Sequence, residues 1–281
     1  MGRLASASAY GRGGYVVSTR PRLVATDLDG TIVAEDGVVT DRTVATLRAV
    51  EALGVPVVFV TGRPARWMAV VAERTGHTGL AICANGAVLY DLHTEQIVEH
   101  DPIPVEVGLE VARRLRDAVP GSAFAVETLA GFSHEPAYLA RWDAGNELIV
   151  APLETIYDGP ALKLLARHEA MDPDAFLAAA REVVGDLVEL THSSTSALLE
   201  ISAAGVSKAS GLARFAERNG VAAADVVAFG DMPNDLPMLA WAGRAYGVAG
   251  GHPEVLAAVD RLVAGPADDG VARELERLFD L

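Results

Sequence analysis

Short apolar runs separated by amphipathic stretches organise most of this 281-residue chain. Residues 23–26, 55–60, 80–83 and 226–229 are apolar at successive positions and bounded by turn residues, which predicts strands buried on both faces. Helical patterns lie between them. Thr40 or Asp41 can cap a helix running to about Leu53, with Gly54 as its stop, and Pro64 stands where a first-turn proline opens the next helix. Segments 207–219 and 233–242 end at Asn219-Gly220 and Gly243, again helix-stop residues. Alternating strand and helix predicts an α/β fold with a parallel sheet covered by helices on both faces.

The middle of the chain breaks this rhythm. The distance from Thr61 to Lys208 is far more than one crossover needs, and it carries its own patterns. Helices are expected at about 105–118 and 173–184, with strands near 88–91, 96–100, 123–127, 161–166, 187–191 and 198–201. We expect a small α/β domain inserted at 87–192, leaving 22–86 and 193–281 as the core domain. Residues 1–21 are rich in Gly, Ser, Ala and Arg, without acidic residues or a long apolar stretch, and read as a disordered tail.

Composition narrows the partners. A net charge of −15 lacks the basic footprint that nucleic-acid binding requires. No apolar run approaches the ~20 residues that span a bilayer. The lone cysteine, Cys83, cannot form an intramolecular disulfide and fits a reducing cytoplasm. It reads as a small buried hydrophobe and not as a reactive thiol. Only two of the 23 cationic side chains are lysine, Lys163 and Lys208.

In a parallel α/β sheet, ligands bind beyond the carboxyl ends of the strands. Three predicted strands run directly into Asp27-Leu28-Asp29-Gly30-Thr31, Thr61-Gly62-Arg63 and Gly230-Asp231-Met232-Pro233-Asn234-Asp235. Each cluster alone is compatible with a turn or a helix cap. Together they bring Asp27, Asp29, Asp231 and Asp235 to one sheet edge, where mutual repulsion calls for a bound cation or raised pKa values. Carboxylates and carbonyls suit Mg²⁺. The seven histidines show no zinc-ligand spacing, so zinc is not expected.

These segments resemble the motifs of the haloacid dehalogenase-like hydrolase superfamily, and within it the Cof-type sugar-phosphate phosphatases. The likeness runs from Arg22 to Leu281, adding Lys208 in Gly205-Val206-Ser207-Lys208, Asn85-Gly86-Ala87 and Asp269-Gly270-Val271-Ala272. It implies a Rossmann-like core with an inserted α/β cap. It also implies a Mg²⁺-dependent phosphatase acting on a small phosphorylated metabolite through an aspartyl-phosphate on Asp27. By resemblance Asp29 is the acid/base. Asp27, the Asp29 carbonyl, Asp231 and Asp235 hold the metal. Thr61, Gly62, Arg63, Lys208, Asn234 and Asn85 bind phosphate or substrate.

Some assignments keep an alternative. Arg63 is a substrate ligand or a surface ion pair, Asn85 lines the site or makes the turn into the cap, and Lys163 is a cap substrate ligand or a solvated strand-face lysine. Glu127, Arg141 and Trp142 are further cap candidates. A sugar phosphomutase and a non-catalytic sugar-phosphate-binding module are the competing functions. Dehalogenation needs neither Asp29 nor the metal carboxylates. A dinucleotide fold needs a Gly-x-Gly-x-x-Gly turn after the first strand, and the chain has Asp-Leu-Asp there.

Overall fold

The computed structural model describes residues 20–140 and 149–281. The expected tail, apart from its last two residues, and the candidates Arg141 and Trp142 lie outside that range. In chain order the strands are β1 (Leu23–Thr26), β2 (Val57–Val60), β3 (Leu80–Cys83), β4 (Val88–Asp91), β5 (Gln96–His100), β6 (Ala123–Thr128), β7 (Gly131–His134), β8 (Ile149–Val150), β9 (Lys163–Arg167), β10 (Val188–Thr191), β11 (Leu198–Ala203), β12 (Val226–Gly230), β13 (Arg244–Val248) and β14 (Leu262–Val263). The helices are α1 (Asp41–Ala52), α2 (Met68–Thr75), α3 (Val105–Ala118), α4 (Leu153–Ile156), α5 (Pro173–Val184), α6 (Lys208–Arg218), α7 (Leu236–Trp241), α8 (Pro253–Ala258) and α9 (Gly270–Phe279).

Eight strands form one sheet in the order β14-β13-β12-β1-β2-β3-β4-β5, parallel from β14 to β3. Successive residues of its central strands feed two different cores, which is why they read as apolar on both faces. Val24, Val57, Phe59, Val227 and Phe229 pack with Leu47 and Val50 of α1 and Leu275 and Phe279 of α9. Leu23, Ala25, Val58, Val60, Val226 and Ala228 pack on the other side with Leu212 and Phe215 of α6 and Met238 of α7. Thr40 caps α1, its side chain accepting the Thr43 N–H. The second strand begins at Val57 and not at 55. Pro56 has no N–H for the ladder, and only its carbonyl is used, accepting from Val24 at 3.0 Å.

The second sheet has the order β10-β11-β9-β6-β7-β8 and is antiparallel except between β7 and β8. One face is buried under α3 and α5, with Val111, Leu115, Phe176 and Ala180 against Phe124, Leu164 and Leu199. The other face carries the polar residues that meet the first body.

Sheet membership does not change at 87 and 192, the expected limits of the insert. β4 and β5 pair antiparallel onto β3 and extend the first sheet, whereas β11 lies inside the second sheet between β10 and β9. The hairpin that keeps β4 in the first sheet turns through Ala84 and Asn85, at φ 50° and 56°, and Gly86 at φ 101°. A side chain at Gly86 would place its Cβ 2.1 Å from the Ser207 carbonyl oxygen, so the turn and the start of α6 fit only with glycine.

Candidate active site

Register brings the expected residues to one edge. Thr26 pairs with both Phe229 and Phe59, so the residues that follow in β1, β2 and β12 emerge side by side. Asp27, Asp231, Asp235 and Lys208 are all buried there, Lys208 and Asp235 completely. Lys208, the first residue of α6 behind a Ser207–Ser210 capping box, donates from Nζ to Asp27 Oδ1 at 2.7 Å and to Asp235 Oδ1 at 2.6 Å. Asp235 Oδ2 accepts the backbone N–H groups of Asp231 and Met232 at 2.9 and 3.0 Å. Both of its oxygens are thus committed, and Asp235 braces the loop. Asp231 Oδ1 accepts from Thr31 Oγ1 at 2.9 Å, a partner the sequence reading left without a role. Gly30 is at φ 79°, and a Cβ there would lie 2.2 Å from Asp231 Oδ2, so only glycine lets the β1 loop approach this carboxylate.

Asp29 stands apart from the buried cluster with a half-exposed side chain, held by Arg63 through Nε at 2.7 Å and Nη2 at 2.5 Å. The alternative reading of Arg63 as an ion pair is therefore realised, with another expected site residue as its partner. Thr61 is buried; its Oγ1 accepts the Arg63 N–H at 3.0 Å and its carbonyl accepts the Asn85 N–H at 3.0 Å.

Lys163 is not a solvated strand-face lysine. It is 5% exposed, donates to the Gly62 carbonyl at 2.6 Å and pairs with Glu200, a buried acid of β11 that the sequence reading missed. Glu200 also accepts from Ser193 and from Asn85 Nδ2, the latter at 2.8 Å. That bond fixes the Asn85 amide with Oδ1 as acceptor, which receives Asn234 Nδ2 at 3.1 Å and leaves the buried Asn234 Oδ1 without a donor. Asn85 thus makes the left-handed turn and lines the site at once. Arg66 grips Glu127 with two bonds of 2.8 Å. Glu127 is one of the expected cap candidates, whereas the only sequence signal for Glu200 is an acid on a largely apolar strand.

Burial raises the Asp27 carboxyl well above its usual range, against the pull of Lys208 and with the push of Asp235, Asp231 and Asp29. Burial, then Asp235, lifts Asp231 to about 7, with Thr31 opposing. For Lys208 burial acts downward, but Asp235 and Asp27 outweigh it and hold the ammonium charged. Glu200 ends below its usual value because Lys163 overcomes the effect of burial. The Cys83 thiol is pushed up to about 12 by burial and is unreactive.

Raised carboxyl pKa values mark a cluster whose mutual repulsion a hard cation would relieve. Ligand atoms of Asp27, Asp231 and Asp235 lie within 4.8 Å of one another and are all oxygen, a donor set that fits Mg²⁺. Because Asp231 titrates higher in the folded chain than unfolded, its contribution to stability is full below about pH 4 and is lost as the pH rises through about 7. Metal-free protein should therefore melt lower at pH 7.5 than at pH 5.5. Mg²⁺ should restore roughly 5 °C or more at the higher pH and less than half of that at the lower, because bound ligand stabilises by mass action. Equal Mg²⁺ shifts at the two pH values in a thermal melt would contradict this proton–metal competition.

The histidines are less scattered than their spacing suggested. His192 Nε2 lies 2.8 Å from Asp174 Oδ1, and His252 Nε2 lies 3.5 Å from Asp174 Oδ2. The His252 Nδ1 accepts the Glu254 N–H at 3.3 Å, which puts the ring proton on Nε2. A metal would need the Nε2 lone pair, so the trio is a hydrogen-bonded tie between the two bodies.

Residues 24–275 match the model of the haloacid dehalogenase-like hydrolase family. The chain is 26% identical over 276 residues to the 5-amino-6-(5-phospho-D-ribitylamino)uracil phosphatase YitU of Bacillus subtilis, covering 94% of this chain and 100% of that protein. It is 25% identical over 264 residues to the pyridoxal phosphate phosphatase YbhA of Escherichia coli, covering 90% and 96%. The structure of SMU.1108c from Streptococcus mutans superposes with a TM-score of 0.80 at 17% identity, over 93% of this chain and all of that one. The aspartates at the edge of a parallel sheet, the buried lysine, the second α/β body and a family match over nearly the whole described chain agree: this chain belongs to the haloacid dehalogenase-like hydrolases.

Proposed function

We propose that the chain is a Mg²⁺-dependent phosphatase that hydrolyses phosphomonoesters of small metabolites, with sugar and polyol phosphates the first class to test. Hydrolysis of phosphoric monoesters is supported by the family match and by relatives that are phosphatases. The observation that carries the rest is the buried Asp27, held on one oxygen by Lys208 and facing the Asp231 carboxylate.

In this reading the Asp27 carboxylate attacks phosphorus, the P–O bond to the alcohol breaks, and Asp29 gives the leaving alkoxide a proton. Water then attacks the aspartyl-phosphate as Asp29 takes a proton from it, which frees Asp27 and phosphate. Asp27 and Asp231 would hold Mg²⁺, with the Asp29 carbonyl, and Asp235 orients Asp231 and Lys208. Mg²⁺ supplies charge neutralisation for the phosphoryl oxygens. Lys208 and Thr61 bind the transferring group. Arg63, free of Asp29, is a further cation for it; the exchange releases Asp29 to turn toward the leaving oxygen.

The test is phosphate release from a panel of sugar, polyol and nucleoside monophosphates. Activity should vanish with EDTA and return with Mg²⁺. Turnover indifferent to EDTA would remove the metal from the proposal, and an isomeric phosphorylated product in place of free phosphate would make the chain a mutase.

A further inference from the structure

A buried guanidinium in the second sheet has donors with no acceptor. Arg167, the last residue of β9, is 3% exposed, and among the described residues neither Nε nor Nη1 has a hydrogen-bond partner. The group lies against the Tyr138 ring, 5.3 Å from its centroid, a contact that suits the charge and satisfies neither N–H. Buried donors left unmade are costly, so an acceptor beyond the described residues is the natural completion, and a bound ligand can supply it.

Alternation along β9 puts Lys163, Leu165 and Arg167 on one face, while Leu164 and Ala166 enter the core under the helices. That face is the one turned to the candidate active site, because Lys163 at its near end reaches the Gly62 carbonyl. Arg167 lies four residues farther, ~13 Å along the strand. Between them the floor is low: Ala123 and Ala125 pack under Tyr138, whose own ring fills the space. Phe132 and His134 stand beside that ring, at 6.2 and 5.7 Å between centroids. The space is filled by the Tyr138 ring, is walled by aromatic side chains, and ends on a guanidinium whose Nε and Nη1 donors are unmade.

We propose that Arg167 determines specificity for the far end of the substrate. On the phosphatase reading above, the preferred substrate is a phosphate ester whose alcohol carries a planar ring with carbonyl acceptors. The substrate ring takes the place of the Tyr138 ring, and its carbonyl oxygens accept from Arg167 Nε and Nη1. A flat ring matches the space that the Tyr138 ring fills, and oxygen acceptors match the donors.

Uridine 5′-monophosphate and glycerol 3-phosphate are the probes, since both are phosphate esters and only the first carries a carbonyl-bearing ring. The ratio of kcat/KM for uridine monophosphate over glycerol phosphate should exceed one in the native chain. It should fall about 10- to 100-fold in Arg167→Leu, the effect of losing charge-assisted hydrogen bonds. Arg167→Lys, which keeps the charge and loses the fork, should lie between, and it carries the test if the leucine variant does not fold. A ratio unchanged within about threefold overturns the assignment. Uridine itself, titrated into Asp27→Asn protein by calorimetry, gives a readout without turnover. Binding abolished by Arg167→Leu with no phosphate release from any ester would leave Arg167 standing and sink the phosphatase reading. Phosphate release without preference for the ring and without uridine binding would do the reverse.

Discussion

Asp27→Asn should lower phosphate release by on the order of 10⁴-fold, as removal of a covalent nucleophile does elsewhere, and it should leave the fold intact. The substitution is nearly isosteric and removes a carboxyl that burial has already pushed toward its neutral form. In metal-free protein at pH 7.5 the variant should melt at or above the native temperature, because the charge it deletes is repelled by Asp235, Asp231 and Asp29. In saturating Mg²⁺ the order should reverse, since on the proposed function the substitution removes a metal-ligand oxygen. Kinetics, circular dichroism and melts with and without Mg²⁺ measure all three effects. Folded Asp27→Asn turning over within tenfold of the native enzyme would move the nucleophile elsewhere.

Lys208→Met should be the most destabilising single change in the site. The methionine fills much of the lysine's volume, and leaves Asp27 and Asp235 without the ammonium that bridges them at 2.7 and 2.6 Å. Stripping one partner from a fully buried ion pair costs about 3–5 kcal/mol, which corresponds to a fall in melting temperature of roughly 10 °C. The deficit should shrink as the pH drops from 8 to 5, because protonation of the stranded carboxylates removes the unpaired charge. Lys208→Arg separates charge from shape: a planar fork in a cavity with no exposed surface cannot reach both carboxylates as a point charge does. Near-native kinetics for Lys208→Arg would show that positive charge alone suffices there.

The first sheet was legible because each of its inner strands is a closed apolar word followed by chemistry. Thr26 runs into Asp27, Val60 into Thr61 and Gly230 into Asp231, and a parallel register aligns the three transitions without further information. Legibility failed where pairing is non-local. Residues 88–100 alternate as well as any cap strand would, and nothing local says that Cys83 pairs with Val88 and not with a strand of the second sheet. β13 opens on Arg244 and β14 is two residues long, too little pattern for periodicity to register. Glu200 reads as an ordinary strand polar, and Glu127 only as a cap residue that could face the substrate, because their partners, Lys163 with Asn85 and Arg66, come from strands and turns far along the chain. For the same reason the trio of Asp174, His192 and His252 escaped a search by ligand spacing.

The second body touches the first through Lys163 on the Gly62 carbonyl, Glu200 on Asn85 and Glu127 on Arg66. On the core side these contacts fall in the two loops that carry Thr61, Arg63 and Asn85. A cap transplanted from a relative would therefore arrive with three demands on its host and not with a neutral underside. Mismatch at any of them displaces a loop that carries Thr61 and Arg63 or Asn85, and the chimera should lose turnover on every substrate before its new specificity could be read. Exchange within this fold should succeed only where the two acids, the lysine and their core partners travel together, which makes the seam between the bodies a compatibility code written in side chains.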